Sequence, residues 1–478
     1  MCYRLKPIIT VCSWICTIAL VSNLITKVAK SETYSDTVPL TADARQQILA
    51  WNLKTLVQAY EEVGHTNAAW DKAAEAALTA FAYSRAHIEE TNGTARETIL
   101  KHVAEAERAG CDDPLIRYVR LRTAPMDRYD EQFMQYVAVA TNLQKSAYPS
   151  IRKFYADARA LSHLDGYDKH ASPGIKPIRS KVLGLLINDL EATLHDKNMP
   201  VREAYEVANQ TMTLMESEKW NYKNAYGWIH AFFENWGDDY TASLLKGKAY
   251  IKMAWIARGN DYADKVTEEG WKNFKADLEV ARSALEHAWI LNSQDVEIPD
   301  AMMKVVLGEE GKMPDLDLWF DRAMNLNTNN FTACSAKLYY LEPKWYGSDE
   351  QQIAFGRRCA TSVKWGGRVP LILVEAHRLI NSRNAEALQA DYWKKPSVWP
   401  DIQLAYDRFF ELNPEDKETY QYYASYAYKA EQWNKLNELL PRLNNLNINY
   451  EIFRGAADGI TEYQKMVRLA KEHAGSKK

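Results

Sequence analysis

The chain has 478 residues, of which 47% are hydrophobic and only 20 are Gly and 16 Pro. That length is a prior for about three domains, and so few helix breakers suit long helices better than a strand-and-turn fold. The formal net charge is −4, with no basic block, which argues against nucleic acid as a partner.

Residues 1–31 read as an export segment. Arg4 and Lys6 form a positive start, Ile8 to Ile25 is mostly apolar, and Ala29-Lys30-Ser31 offers a small-x-small cleavage site. The stretch is also long enough to span a bilayer, so a cleaved signal peptide and a retained membrane anchor both stand. Either one makes the protein exported: periplasmic, cell-envelope or secreted. Residues 32–40 are a polar linker.

Helices are expected to follow one another through an N-terminal region, 32–163. Asp43 is placed to cap a run through Leu49, Leu53, Leu56, Tyr60 and Val63, which Gly64 ends. Residues 67–90 carry the stripe Trp70, Ala74, Leu78, Phe81 and Ile88. Thr94-x-x-Glu97 is a capping box, and Gly110 closes its helix. Asp113-Pro114 opens the next one with an acidic cap and proline in the first turn. Residues 129–143 and 149–162 are two more helices. Residues 164–177, with Gly166, Pro173, Gly174 and Pro177, read as a loop and a domain boundary.

A second helical region covers 178–454. Helices are expected over 178–195 and 200–217. Residues 220–256 are aromatic-rich, with a break at Gly237 and Asp238-Asp239 suited to a helix N-cap. Residues 258–270 are an insertion before a helix that ends at Asn292. Residues 331–342 and 350–362 form a hairpin around Pro343 to Ser348, and 371–381 and 384–393 are shorter helices. The tail, 455–478, is expected to fray.

The most informative stretch is Trp399 to Asn444. Ile402, Ala405, Tyr406, Phe409 and Phe410 share one helical face, and Asn413-Pro414 stops that helix. Tyr420, Tyr423, Ala424, Ala427 and Ala430 form the stripe of the next. A short turn at Glu431-Gln432 makes Trp433, Leu436 and Leu440 its antiparallel neighbour. Neither helix can bury its stripe alone. Leu-Asn followed by a polar residue or Pro recurs at Asn292, Asn327 and Asn413, and the interval of 35 residues between the first two matches a repeat of about 34.

These residues resemble the tetratricopeptide repeat: Tyr420 opens a first helix, Ala424 sits where helices approach, Trp433 follows the turn, and Leu-Asn-Pro closes the preceding unit. The layout is similar to exported bacterial proteins built on divergent tetratricopeptide-like helices, a group that carries no assigned activity. The resemblance implies an all-α fold of stacked antiparallel helical hairpins, an α-solenoid. It also implies a concave groove lined by first helices, which in this frame includes Gln421, Ser425 and Lys429. The family's carboxylate-binding variant uses a Lys and Asn pattern there, from which Gln421 and Ser425 depart.

Cys2, Cys12 and Cys16 lie in the leader. Cys111, Cys334 and Cys359 are odd in number and widely spaced, which is neither a disulfide framework nor a zinc site. Cys334 and Cys359 fall nearly level on the two helices of one hairpin. A disulfide is feasible there if both face the seam, and an exported chain meets an oxidising compartment; two buried free thiols are the alternative.

Motifs that carry chemistry are lacking. There is no HExxH, GxSxG or phosphate loop, and Gly308-Glu309-Glu310-Gly311-Lys312 has the wrong spacing. His163, Asp165, Asp168 and His170 form the best polar cluster for a cation, but a solvated loop whose Asp residues stabilise turns is the favoured reading. No catalytic residue, cofactor or metal is assigned. The leading expectation is a non-catalytic binding scaffold for a protein or peptide partner. A carbohydrate- or peptide-capturing envelope protein is the alternative, and an α/α-toroid enzyme with paired carboxylates the least favoured.

Overall fold

The computed structural model describes residues 41–87, 95–124, 129–168, 174–216, 219–259, 263–309, 313–444, 446–453 and 458–475. The export segment, Thr94 of the capping box and His170 lie outside them. Helix makes up 78%, and no strand occurs among the described residues, as the scarcity of Gly and Pro predicts. Contacts divide the chain into two compact units, Pro39–Ser293 and Gln294–Lys478. The change falls inside the stretch that the sequence presents as one repeat region.

In the first unit the chain starts with the Ala42–Leu53 helix, a π-helical turn over Lys54–Gln58 and a last turn over Ala59–Val63 that ends at Gly64. The N-cap is Thr41, whose hydroxyl accepts from the Ala44 N–H at 3.2 Å. Asp43 lies inside the first turn and accepts from Gln47 instead. Asp71–Arg85 follows, burying Ala74, Leu78 and Phe81 as expected. It packs against Ala95–Arg108 and Pro114–Thr123. Asp113 caps the latter, accepting from Leu115 N–H at 2.8 Å, and it also takes the Tyr148 hydroxyl at 2.9 Å.

Tyr129–Gln144 and Ser150–Asp168 come next. The second of these continues to Asp168, into the stretch expected to form a loop, of which residues 169–173 lie outside the described residues. A glycine inside a helix costs about 1 kcal/mol relative to alanine, which packing readily offsets: Ala160, Leu161 and Leu164 are fully buried. Ile175–Leu194 and Val201–Leu214 complete the helices around the site described below. Ala42–Leu53 touches both Asp71–Arg85 and Val201–Leu214, and the π turn touches Ser150–Asp168. Contacts here therefore reach beyond sequence neighbours. The unit ends with Tyr240–Arg258, capped by Asp239, and Glu268–Leu291, which stops at Asn292.

The second unit is again helical hairpins. Asn327 and Asn413 end Met313–Leu326 and Trp399–Leu412, their N–H groups bonding back to Ala323 and Phe409 carbonyls at 3.0 and 2.9 Å. Ser348 and Asn330 cap Asp349–Thr361 and Phe331–Tyr340. In the stretch that resembles a tetratricopeptide repeat, Tyr406 stacks on Tyr423 and Phe410 on Tyr420, with ring centroids 4.6 and 3.8 Å apart. Glu431 takes the left-handed turn position at φ 55. Trp433 does not fill the gap between its two helices. It is half-buried and lies flat on His473, 4.3 Å away, while Leu436 holds the interior position. Within the described part of the tail, Gly459–Gly475 is a helix rather than frayed chain: Met466 and Ala470 are fully buried, and Asn437 donates to the Ala470 carbonyl at 2.8 Å.

Candidate functional site

The groove positions expected at Gln421, Ser425 and Lys429 do not form an open surface. Gln421 and Ser425 are each 2% exposed. The chain's own 446–453 segment covers them: the Gln421 side-chain oxygen accepts from Asn449 N–H at 2.7 Å, and the Ser425 hydroxyl donates to the Ile452 carbonyl at 3.2 Å. The tetratricopeptide frame names these positions as a groove; the occupant of Gln421 and Ser425 comes from farther along the same chain. Lys429 alone is exposed, its Nζ 5.2 Å from the Tyr426 ring.

Cys334 and Cys359 are both fully buried, and both are free thiols. They neighbour each other, as the hairpin register predicts, but the Cys334 Sγ points at Met324 Sδ, 3.6 Å away. Burial and the adjoining Cys359 hold the Cys334 thiol well above its usual range. His163 packs under Tyr136, 4.3 Å between rings, while the side chains of Asp165 and Asp168 lie outside the described residues. Among the described residues no group of three or more His, Cys, Asp or Glu is arranged to hold a metal, and no helix is long and apolar enough to cross a membrane.

The surface with the most pronounced chemistry lies in the first unit. A pocket there is lined by Phe81, Arg85, Tyr118, Arg122, Arg152, Tyr155, Arg159, Glu206 and Gln210, with an interior of about 90 Å³. Four helices supply it. Three of them present an aromatic residue and, one turn on, an arginine: Phe81 with Arg85, Tyr118 with Arg122, Tyr155 with Arg159. The step from each pair to the next is 37 residues. The i, i+4 spacing puts both members on one face, and the equal step brings the same face round each time. Val201–Leu214 closes the pocket with Glu206 and Gln210.

Arg152 is the innermost charge, 1% exposed. Its guanidinium donates to Asn52 Oδ1 at 2.9 Å and to the Thr55 hydroxyl, while Nε has no partner. The Nε of Arg159 is likewise buried and unpartnered. Burial, reinforced by the nearby Arg85 charge, holds Arg152 below the ordinary arginine range. The carboxylates present are already engaged. Glu203 accepts the Tyr155 hydroxyl at 2.7 Å and lies 3.9 Å from Arg85; Glu206 lies 3.3 Å from Arg202.

A second cleft, of about 210 Å³, includes Thr55, a partner of Arg152, in its lining. Trp51, Lys54, Thr55, Gln58, Glu62 and Thr193 line it among others. The π turn belongs to this wall. Thr55 donates to the Trp51 carbonyl at 2.8 Å while accepting from Arg152. Thr55 thus connects the two cavities.

Sequence reading missed the pocket because its arginines lie on three helices far apart in the chain and match no compact motif. The recurring aromatic-x-x-x-Arg pair was the available signal. Comparison with family models, with curated proteins and with solved structures gives no match.

Proposed function

We propose that the chain is a non-catalytic binding scaffold of tetratricopeptide-like helical hairpins, and that its recognition face is the arginine-lined one in the first unit. The observation that carries this reading is the equal-step recurrence of the three aromatic–arginine pairs. Repeat scaffolds build a binding face in this way, by presenting equivalent positions of successive first helices. The aromatic side chains supply rigid contact area and the arginines supply directed donors, the two residue classes richest in binding hot spots. The partner is a protein or peptide segment of acidic character, since like charge would repel a basic one. In this reading residues 1–31 export the scaffold, with or without retaining it at a membrane.

An array of mixed-sequence peptides probed with the full chain tests the proposal. Acidic peptides should be enriched, and Arg122→Met, a half-buried position, should remove the enrichment while leaving the helical content intact. Binding that ignores charge, or that survives the substitution, overturns the assignment of this face.

A further inference from the structure

The same pocket holds a net positive charge that the protein itself does not balance. Arg85, Arg122, Arg152 and Arg159 contribute four positive charges, and Glu206 is the one acid among the lining residues. Glu203, behind Tyr155, raises the acids to two. The formal excess is two, and it is a lower bound because Glu206 is shared with Arg202 at 3.3 Å. Two guanidinium Nε–H groups, on Arg152 and Arg159, are buried with no acceptor. A buried charged donor left unsatisfied is costly, so an acceptor is missing on two counts, charge and hydrogen bonding.

We infer that this pocket is a binding site for a doubly charged tetrahedral oxyanion, of the phosphate monoester or inorganic phosphate class. The inference names the ligand of the face assigned above and rests on that assignment. A dianion cancels the excess of two, whereas a carboxylate cancels half. A tetrahedral group offers acceptor oxygens in several directions, and here donors arrive from three helices, Asp71–Arg85, Pro114–Thr123 and Ser150–Asp168. A planar carboxylate suits one bidentate guanidinium better. The interior of about 90 Å³ accepts one such group and little more. Arg85 is already laid on Tyr155, its guanidinium carbon 5.3 Å from the ring centroid. Arg152 is anchored through Asn52 and Thr55. Two of the four cations are therefore held in place before any ligand arrives, which lowers the ordering cost of binding.

Isothermal titration of the full chain with inorganic phosphate tests the site, with circular dichroism confirming that each variant folds. Saturable binding tighter than about 1 mM is expected, weakened at least about tenfold by Arg122→Met and by Arg159→Met. Lys272→Met, an exposed change of the same charge on the Glu268–Leu291 helix, should leave it untouched. Sulfate should compete, and acetate at equal ionic strength should not. A phosphoserine peptide run in parallel separates the sources: tighter binding than inorganic phosphate assigns the site to an esterified phosphoryl group, and equal or weaker binding to the free ion, either of which supports the site. No saturable binding by about 10 mM, equal binding in the arginine variants, or acetate matching phosphate would overturn it. Should acidic peptides still bind through Arg122 while phosphate does not, the dianion site alone fails. Should phosphate bind while no peptide does, the scaffold reading alone fails.

Discussion

The side-chain oxygen of Gln421 accepts the backbone N–H of Asn449 at 2.7 Å, so a position that a repeat scaffold leaves open to its partner is filled by the chain's own next segment. The bond tethers the 446–453 segment to the Tyr420–Lys429 helix, with Ser425 and Ile452 making a second tie at 3.2 Å.

Gln421→Ala should remove the acceptor that ties the Asn449 N–H to the Tyr420–Lys429 helix. Asn449 is exposed, so water can replace the lost acceptor and the cost should be the net worth of one hydrogen bond, about 0.5–1.5 kcal/mol. Urea denaturation of wild type and variant measures it, and an unchanged midpoint would mean that the segment is not seated on this helix.

Asp157 and Asp189 should make stability fall as pH rises. Gln144 donates to both carboxyls, at 2.9 Å to Asp157. Burial, then the neighbouring Asp189 charge, pushes Asp157 up to about 8, and burial raises Asp189 as well. An unfolded aspartate titrates near about 3.9. Between those values the folded state holds a proton that the unfolded state has released, so stability is greatest below the unfolded value and declines towards pH 8. The ceiling for one proton is about 1.4 kcal/mol per pH unit. Denaturation at pH 5 and pH 8 should show the decline, and Asp157→Asn, which keeps the shape without the titrating proton, should flatten it.

Leu436→Ala should destabilise the second unit more than Trp433→Ala. Leu436 is fully buried, and such a truncation costs about 2–5 kcal/mol. Trp433 is half-buried against His473, so its loss should fall below the ~3–5 kcal/mol typical of an interior aromatic. Thermal melts of the two variants decide the order; the reverse order would return Trp433 to the interior of its hairpin.

Cys334 and Cys359 should resist alkylation in the folded protein and react fully after unfolding without reductant. Both are fully buried free thiols, and burial raises that of Cys334, whereas thiolate is the reacting form. Mass spectrometry reads the result directly: a mass two protons short with no label on either residue would reveal a bridge.

Local chemistry made most helices legible. Asp113 before Pro114, Asp239 before Tyr240, and Leu-Asn at 292, 327 and 413 act within one turn of chain, so the residues that start or stop a helix sit beside it. Where burial outweighed a local signal the reading failed. Gly166 lies in a helix whose Leu164 is fully buried, and the tail became a helix because Met466 and Ala470 dock beside Asn437. The arginine pocket depends wholly on such distant encounters. Its side chains span residues 81 to 210, and its charge excess exists only once four helices bring them together. The sequence by itself determined the helical character and the equal spacing of the aromatic–arginine pairs, because both follow from positions along one chain. Only the tertiary structure decided that those pairs share a pocket while Gln421 and Ser425 are covered, because which surfaces meet is set by packing between segments far apart in sequence.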